Sequence, residues 1–181
     1  MNNIDKELQV ISEKELKILE FVRNNSKEFS IDPIPKMNDT FIEYKNIYEC
    51  YLKLLTENEN SLEALKRLIF IQWYACAEPH YLAGIFGLNK NSELRVLQYL
   101  DRVVEYKRFD LELHYMRAWY YKIADYYFIE HLGLDKKTKD FMACDSVNLI
   151  KQAKPIHQDF ENRGQMGHYW ISINLRKLYE K

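Results

Sequence analysis

Apolar residues recur at helical spacing along most of the chain. Leu16, Leu19, Val22 and Phe29 fall on one face at 100° per residue. Ser12 and Glu15 precede them as a capping box: the serine oxygen accepts from the amide three residues on, the glutamate reaches back, and Ile11 and Leu16 stand where a hydrophobic staple would. The spacing therefore predicts a first helix from Ser12. Asp32, Pro33, Ile34 and Pro35 predict an extended linker, because proline fixes φ, lacks an amide donor and restricts the residue before it. A second capping box, Thr40 with Glu43, opens a helix whose stripe runs through Tyr44, Ile47 or Tyr48, Tyr51 and Leu55 and ends at Asn58 to Asn60.

From Ser61 a third helix carries Leu62, Leu65, Leu68, Ile69, Trp73 and Cys76, and its last ten residues are apolar nearly all round. A helix without a polar face belongs in the middle of a bundle, so the stretch near 61–77 is the expected centre of the core. Asn91 or Ser92 starts a fourth helix with Leu94, Leu97, Leu100 or Asp101, and Val104 on successive turns. A fifth, over 109–131, is the longest expected and is closed by Gly133 as a left-handed cap. One helix near 138–153, a break at Pro155 and a last helix near 168–179 complete the pattern. No segment alternates as a strand does and no repeat of solenoid length is present. The expected fold is all-α: a single-domain helical bundle of about six to eight helices over 1–181.

The 26 basic and 27 acidic side chains of the 181 residues leave a formal charge of −1, which disfavours nucleic-acid binding, since that depends on clustered basic excess. Leu68 to Ala77 is uncharged, yet Pro79 and Glu78 interrupt the run well short of the ~20 residues a bilayer span needs, so no membrane span is expected. Cys50, Cys76 and Cys144 are odd in number and lie in no zinc-ligand spacing. No metal or cofactor is expected, Cys76 and Cys144 read as buried thiols, and a reducing compartment fits. The first residues show no basic, then apolar, signal pattern, so the cytoplasm is the expected location.

Two constellations carry candidate chemistry. On the helix at 109–131, Phe109, Leu113, Met116, Tyr120, Ile123 and Tyr127 form one stripe, and Asp110, His114, Arg117, Tyr121 and Asp125 form a polar stripe beside it. The polar stripe is ordinarily a solvent face laced with helix-spaced pairs. As a site it would give His114 as a base, Asp110 or Asp125 to orient it, and Arg117 to hold an anion, the parts of a small hydrolase or lyase. The second constellation is Glu78, His80 and Tyr81, where Glu78 is the only formal charge between Arg67 and Lys90. Beside Pro79 it suits a helix start; buried, it needs a partner. With Trp73 it also marks where a small-molecule pocket would lie in a ligand-binding bundle. Arg163 to Trp170 places Gly164 and Gly167 before the last helix, where backbone amides can turn toward an anion or the chain can simply turn to dock Tyr169 and Trp170.

Leu65, the run Ile71-Gln72-Trp73-Tyr74, Glu78-Pro79, Gly84-Ile85 and the tyrosine-rich helix at 115–127 resemble small, all-helical, largely uncharacterised bacterial proteins, some of them immunity-type proteins of interbacterial toxin systems. The resemblance covers about the central third of the chain and transfers no functional residue. It implies a helical protein-binding module whose partner is a cognate toxin. The 14 tyrosines and three tryptophans suit such recognition, because aromatic rings with polar tips are favoured at interfaces.

Overall fold

Ser12 does not start a helix. The computed structural model describes residues 3–130, 133–143 and 160–179, and in it helix α1 runs Asn3–Phe29, the longest among the described residues. Ile4, Leu8 and Ile11 extend the same apolar spacing backward, and Ser12 is an interior residue whose hydroxyl donates to the Leu8 carbonyl at 2.7 Å. Glu15 is buried. The expected linker is also helical: Asp32 takes a left-handed conformation at φ 53°, which a short polar side chain tolerates, and Pro33 then opens α2 (Pro33–Lys36) at the first helical position, where its missing donor costs nothing. Met37 ends α2 and directly precedes α3 (Asn38–Glu57), so Thr40 is a buried first-turn residue and not a cap.

Helix α4 (Leu62–Ala77) follows the expected bounds, with the Ser61 hydroxyl accepting from the Ala64 amide. Its enclosed part is Ala64 to Trp73, one turn earlier than the uncharged run suggests, and it includes Lys66, Arg67 and Gln72. Its end emerges, so Cys76 is exposed, as is Cys50. Then come α5 (His80–Ala83), α6 (Lys90–Glu105), α7 (Leu111–Ile123), α8 (Asp125–Glu130), α9 (Lys136–Ala143) and α10 (Gly164–Tyr179). No strand occurs among the described residues, and the all-α class is as expected. There are ten described helices because two turns are short helices and the 109–131 stretch divides.

The division falls at Ala124, at φ −147° and ψ 68°. No Gly or Pro marks it. Asp125 follows it as the first residue of α8, with its carboxylate accepting from the Tyr126 amide at 2.8 Å, and acidic side chains favour helix starts over interiors. Ile123 thereby leaves the core and is 49% exposed. Left-handed glycines occur at Gly84, Gly87 and Gly164, and the expected cap at Gly133 adjoins residues 131–132, which lie outside the described residues. Residues 144–153, Pro155, Cys144 and His157 lie outside the described residues.

The helices form two units, α1 to α5 with α10 and α6 to α9. In the first, α1 packs on α3, α5 and α10, while α4 packs on α3, α5 and α10. Leu8, Ile11, Ile18, Leu19 and Val22 of α1 meet a core that contains Tyr44, Tyr51, Leu65, Leu68, Phe70 and Trp73. At ~25 cal/mol per Å² of apolar surface, each such large side chain contributes roughly 1.5–3 kcal/mol. In the second unit α9 packs on α6, α7 and α8. Val96, Leu97, Leu100 and Val104 form the buried face of α6, whereas Leu94 points outward. Asp101 accepts from the Asp135 amide and Thr138 and so ties α6 to the start of α9.

Candidate functional site

The densest polar chemistry of the first unit lies inside it. Glu15, in the middle of α1, has its Oε1 in hydrogen-bond contact with the Tyr44 hydroxyl and accepts from the Tyr51 hydroxyl on Oε2, both at 2.7 Å. The backbone amide of Gln165 donates to the same carboxyl. Tyr44 also contacts Gln165 Oε1, and Gln165 Nε2 donates to the Ala83 carbonyl at 2.9 Å. Arg67 reaches in from α4: its Nη1 donates to the Tyr51 hydroxyl at 3.0 Å, to the Leu8 carbonyl at 3.2 Å and to the Ser12 hydroxyl. Its Nε donates to Glu63 Oε1 at 2.8 Å. Arg163 forks onto the same carboxylate, Nε to Oε1 at 2.8 Å and Nη2 to Oε2 at 2.5 Å. Five helices, α1, α3, α4, α5 and α10, are joined through these side chains.

Gly164 makes the approach feasible. At φ +58° it occupies a conformation that suits glycine, and a Cβ there would stand 1.9 Å from Glu15 Oε2. Next to Gly164 the Gln165 amide does turn to a carboxyl group, a side chain of this same chain, whereas Gly167 lies within the helix with its amide on the Arg163 carbonyl. Position at the start of α10 favours its charge by about 0.3–1 kcal/mol, but burying an ion costs several. Burial prevails and raises the Glu15 pKa, against the hydrogen bond of Tyr51, the charge of Arg67 and the hydrogen bonds of Tyr44 and Gln165. Burial and the nearby Glu15 charge push the Tyr44 and Tyr51 phenols well above their ordinary range. Glu63 goes the other way. Burial opposes its charge too, yet the hydrogen bonds and charge of Arg163, then those of Arg67, hold it at about 2.

None of Glu15, Tyr44, Tyr51, Glu63 or Arg67 stood out as a site in the sequence, although the signal was present. Glu15 sits four residues after Ile11 and three before Ile18, and Arg67 lies between Leu65 and Leu68 on α4, one residue ahead of its uncharged run. A charge inside an apolar stripe has to find a buried partner.

The segment after α4 lies at the surface of the first unit. Glu78 is half-buried and extended at the end of α4, where its amide donates to the Tyr74 carbonyl at 3.0 Å. Burial and then the Glu78 charge push the Tyr74 phenol up to about 12. Pro79 precedes α5 and its carbonyl accepts from Leu82 and Ala83. The His80 ring is 6.0 Å from Phe41 and 5.1 Å from Phe86, and Phe41 and Phe86 are 5.4 Å apart. Tyr81 is half-buried. Gly84, left-handed at φ +73°, seats the turn against Val22 and Ile18 of α1, leaving Leu82 and Phe86 39% and 41% exposed. Lys45 Nζ lies beside Gly87.

The polar stripe of the second unit is not continuous. Asp110 is the N-cap of α7 and accepts from the Leu113 amide at 2.8 Å; Asp125 is exposed beyond the division at Ala124; Tyr121 is half-buried. Arg117 is buried, with Nη1 donating to the Phe141 carbonyl at 2.5 Å and Nη2 meeting His114 Nε2 at 3.0 Å. Since a guanidinium can only donate, Nε2 of His114 is the accepting nitrogen and the proton sits on Nδ1. Burial and then Arg117 lower the His114 pKa. His114 also packs between Phe109 and Phe141 at 5.7 and 5.5 Å. The structure thus brings His114 and Arg117 together, but directs neither carboxylate at the ring, and Arg117 occupies the lone pair that a general base would use.

Among the described residues no group of His, Cys, Asp and Glu is arranged to hold a metal ion, and no helix is long and apolar enough to cross a membrane. Comparison with known proteins finds no matching family model, no matching curated protein and no matching solved structure.

Proposed function

We propose that the chain is a helical protein-binding module of the cytoplasm, acting as an immunity protein that neutralises a cognate bacterial toxin. The observation that carries this reading is the Leu82 and Phe86 surface, with His80 set against Phe41 and Phe86 beneath it. Two large apolar side chains held two-fifths exposed on a turn fixed by Gly84 offer a small preorganised apolar contact. Lys45 at the rim adds a cation. The partner that fits is a protein with an apolar recess edged by acids.

The test is co-production with any polymorphic-toxin domain found encoded beside the gene; if no such domain is encoded there, the toxin-specific part of the reading fails. Growth of the toxin-producing cells should be restored by the wild-type chain and lost with the double variant Leu82→Asp, Phe86→Asp. Because Phe86 also packs on Phe41 and His80, the variant should lose some stability yet keep the helical circular dichroism of wild type, and its loss of protection is read only while that fold is retained. No protection by wild type, together with no complex on size exclusion, would overturn the reading.

A further inference from the structure

We propose that Glu15 is a proton-operated latch on the last helix: the folded protein holds this carboxyl as the neutral acid where its exposed carboxyls are ionised, and the acid proton completes a chain from Glu15 through Tyr44 to Gln165 that seats the first turn of α10.

With Glu15 ionised, the cluster lacks one proton. The Tyr44 oxygen lies against two acceptors, Glu15 Oε1 and Gln165 Oε1, and a phenol has one proton to give. Turning the Gln165 amide over does not remove the deficit, because its nitrogen donates to the Ala83 carbonyl and the turned oxygen would face that carbonyl instead. Tyr51 does not supply the missing proton: its oxygen accepts from Arg67, and its own hydrogen goes to Glu15 Oε2. A proton on Glu15 Oε1 donates to Tyr44, Tyr44 donates to Gln165, and every partner is satisfied.

The surrounding charges fit the same assignment. From α4, Arg67 is paired with Glu63 and stands behind Tyr51; from the start of α10, Arg163 forks onto Glu63; from α1, Ser12 contributes only a hydroxyl; from α3 come the two phenols. From α5 the contact is the Ala83 carbonyl, and His168 of α10 feels Arg23 and Glu161. No cation makes an ion pair with Glu15 among the described residues. Burial raises its pKa, in keeping with a proton held there.

The experiment is carboxyl NMR of glutamate-labelled protein, with Glu15 assigned from the signal missing in Glu15→Gln. At about pH 6, where exposed glutamates are ionised, one carboxyl should remain in the protonated position and be that signal. In hydrogen exchange, Glu15→Gln, whose amide replaces the acid proton, should keep α10 protection within about threefold of wild type, and Glu15→Ala should lose roughly tenfold or more. Ionisation of Glu15 together with the surface glutamates overturns the proposal. So does loss of α10 protection in Glu15→Gln as large as in Glu15→Ala. If Glu15→Gln fails to fold, that also counts against it, and the absence of a protonated carboxyl in the wild type decides independently.

Discussion

Arg163 grips Glu63 with two parallel hydrogen bonds, and in doing so fastens the residue just before α10 to the first turn of α4. The guanidinium is 4% exposed and the carboxylate 27%, so removing one partner leaves the other charge partly desolvated. Arg163→Ala should lower stability by about 3 kcal/mol, at the lower end for a broken buried pair. Arg163→Lys should recover only part of this, because an ammonium cannot make the planar fork. Urea unfolding followed by circular dichroism measures both; equal stability of wild type and Arg163→Ala would show that the pair contributes nothing.

Glu63 and Glu15 should give stability opposite dependences on pH. Glu63 is held at about 2 against an ordinary 4.5, so its contribution is fully present above about 4.5 and is lost as pH falls toward 2. The full effect is on the order of 3 kcal/mol. Glu15 is raised, so its charge destabilises the fold above the raised value, and the cost is relieved as pH falls from there toward 4.5. Relative to Glu15→Gln, the wild type should therefore gain stability on mild acidification. Relative to Glu63→Gln, it should lose stability below about 4.5. Urea midpoints across this range give both differences, and parallel profiles for all three proteins would refute the assignment.

What the sequence made legible was helix content and the place of α4, because these follow from apolar periodicity, which burial enforces directly. The capping boxes were misleading for a physical reason. Ser12 and Glu15 carry the same spacing whether they end a helix or line the inside of one, and only the apolar residues before them, Ile4, Leu8 and Ile11, separate the cases. Asp125 misled in the opposite sense, reading as interior where it begins α8. The link from Glu15 to Gln165 joins residues far apart in the chain, and no local pattern encodes such a pairing.

Gly164 should be among the least replaceable residues of the first unit. An added methyl would meet Glu15 Oε2 at 1.9 Å and Cδ at 2.9 Å, on a backbone already at φ +58°. The left-handed conformation alone costs about 1–2 kcal/mol for a residue with a Cβ, and displacing the carboxyl breaks its bonds to Tyr44, Tyr51 and Gln165. Gly164→Ala should thus lose about 3 kcal/mol or more. Gly84→Ala is the control. Its neighbours are the Val22 and Ile18 methyls at 3.2 and 3.3 Å, which must give by a few tenths of an ångström, so it should lose the backbone cost and a smaller packing cost with no hydrogen bond broken. Thermal unfolding of the two variants should rank them in that order, and the reverse ranking would remove Glu15 from the packing around Gly164.

Iodide quenching separates the three indoles. Trp73 of α4 is 1% exposed and Trp170 of α10 is 2%, so neither can meet an ion in solution while the first unit is folded. Trp119 of α7 is half-buried, and Lys122 Nζ lies 5.8 Å from its ring centroid, a cation that draws iodide to the one accessible indole. Wild-type fluorescence should therefore show a quenchable part and a larger part that iodide does not reach. Trp119→Phe should abolish the first and leave the second. Raising the ionic strength with chloride should weaken the Trp119 quenching, because the attraction of Lys122 is screened. Quenching that survives in Trp119→Phe would mean that α4 or α10 exposes its indole, and the core built around Trp73 would be wrong.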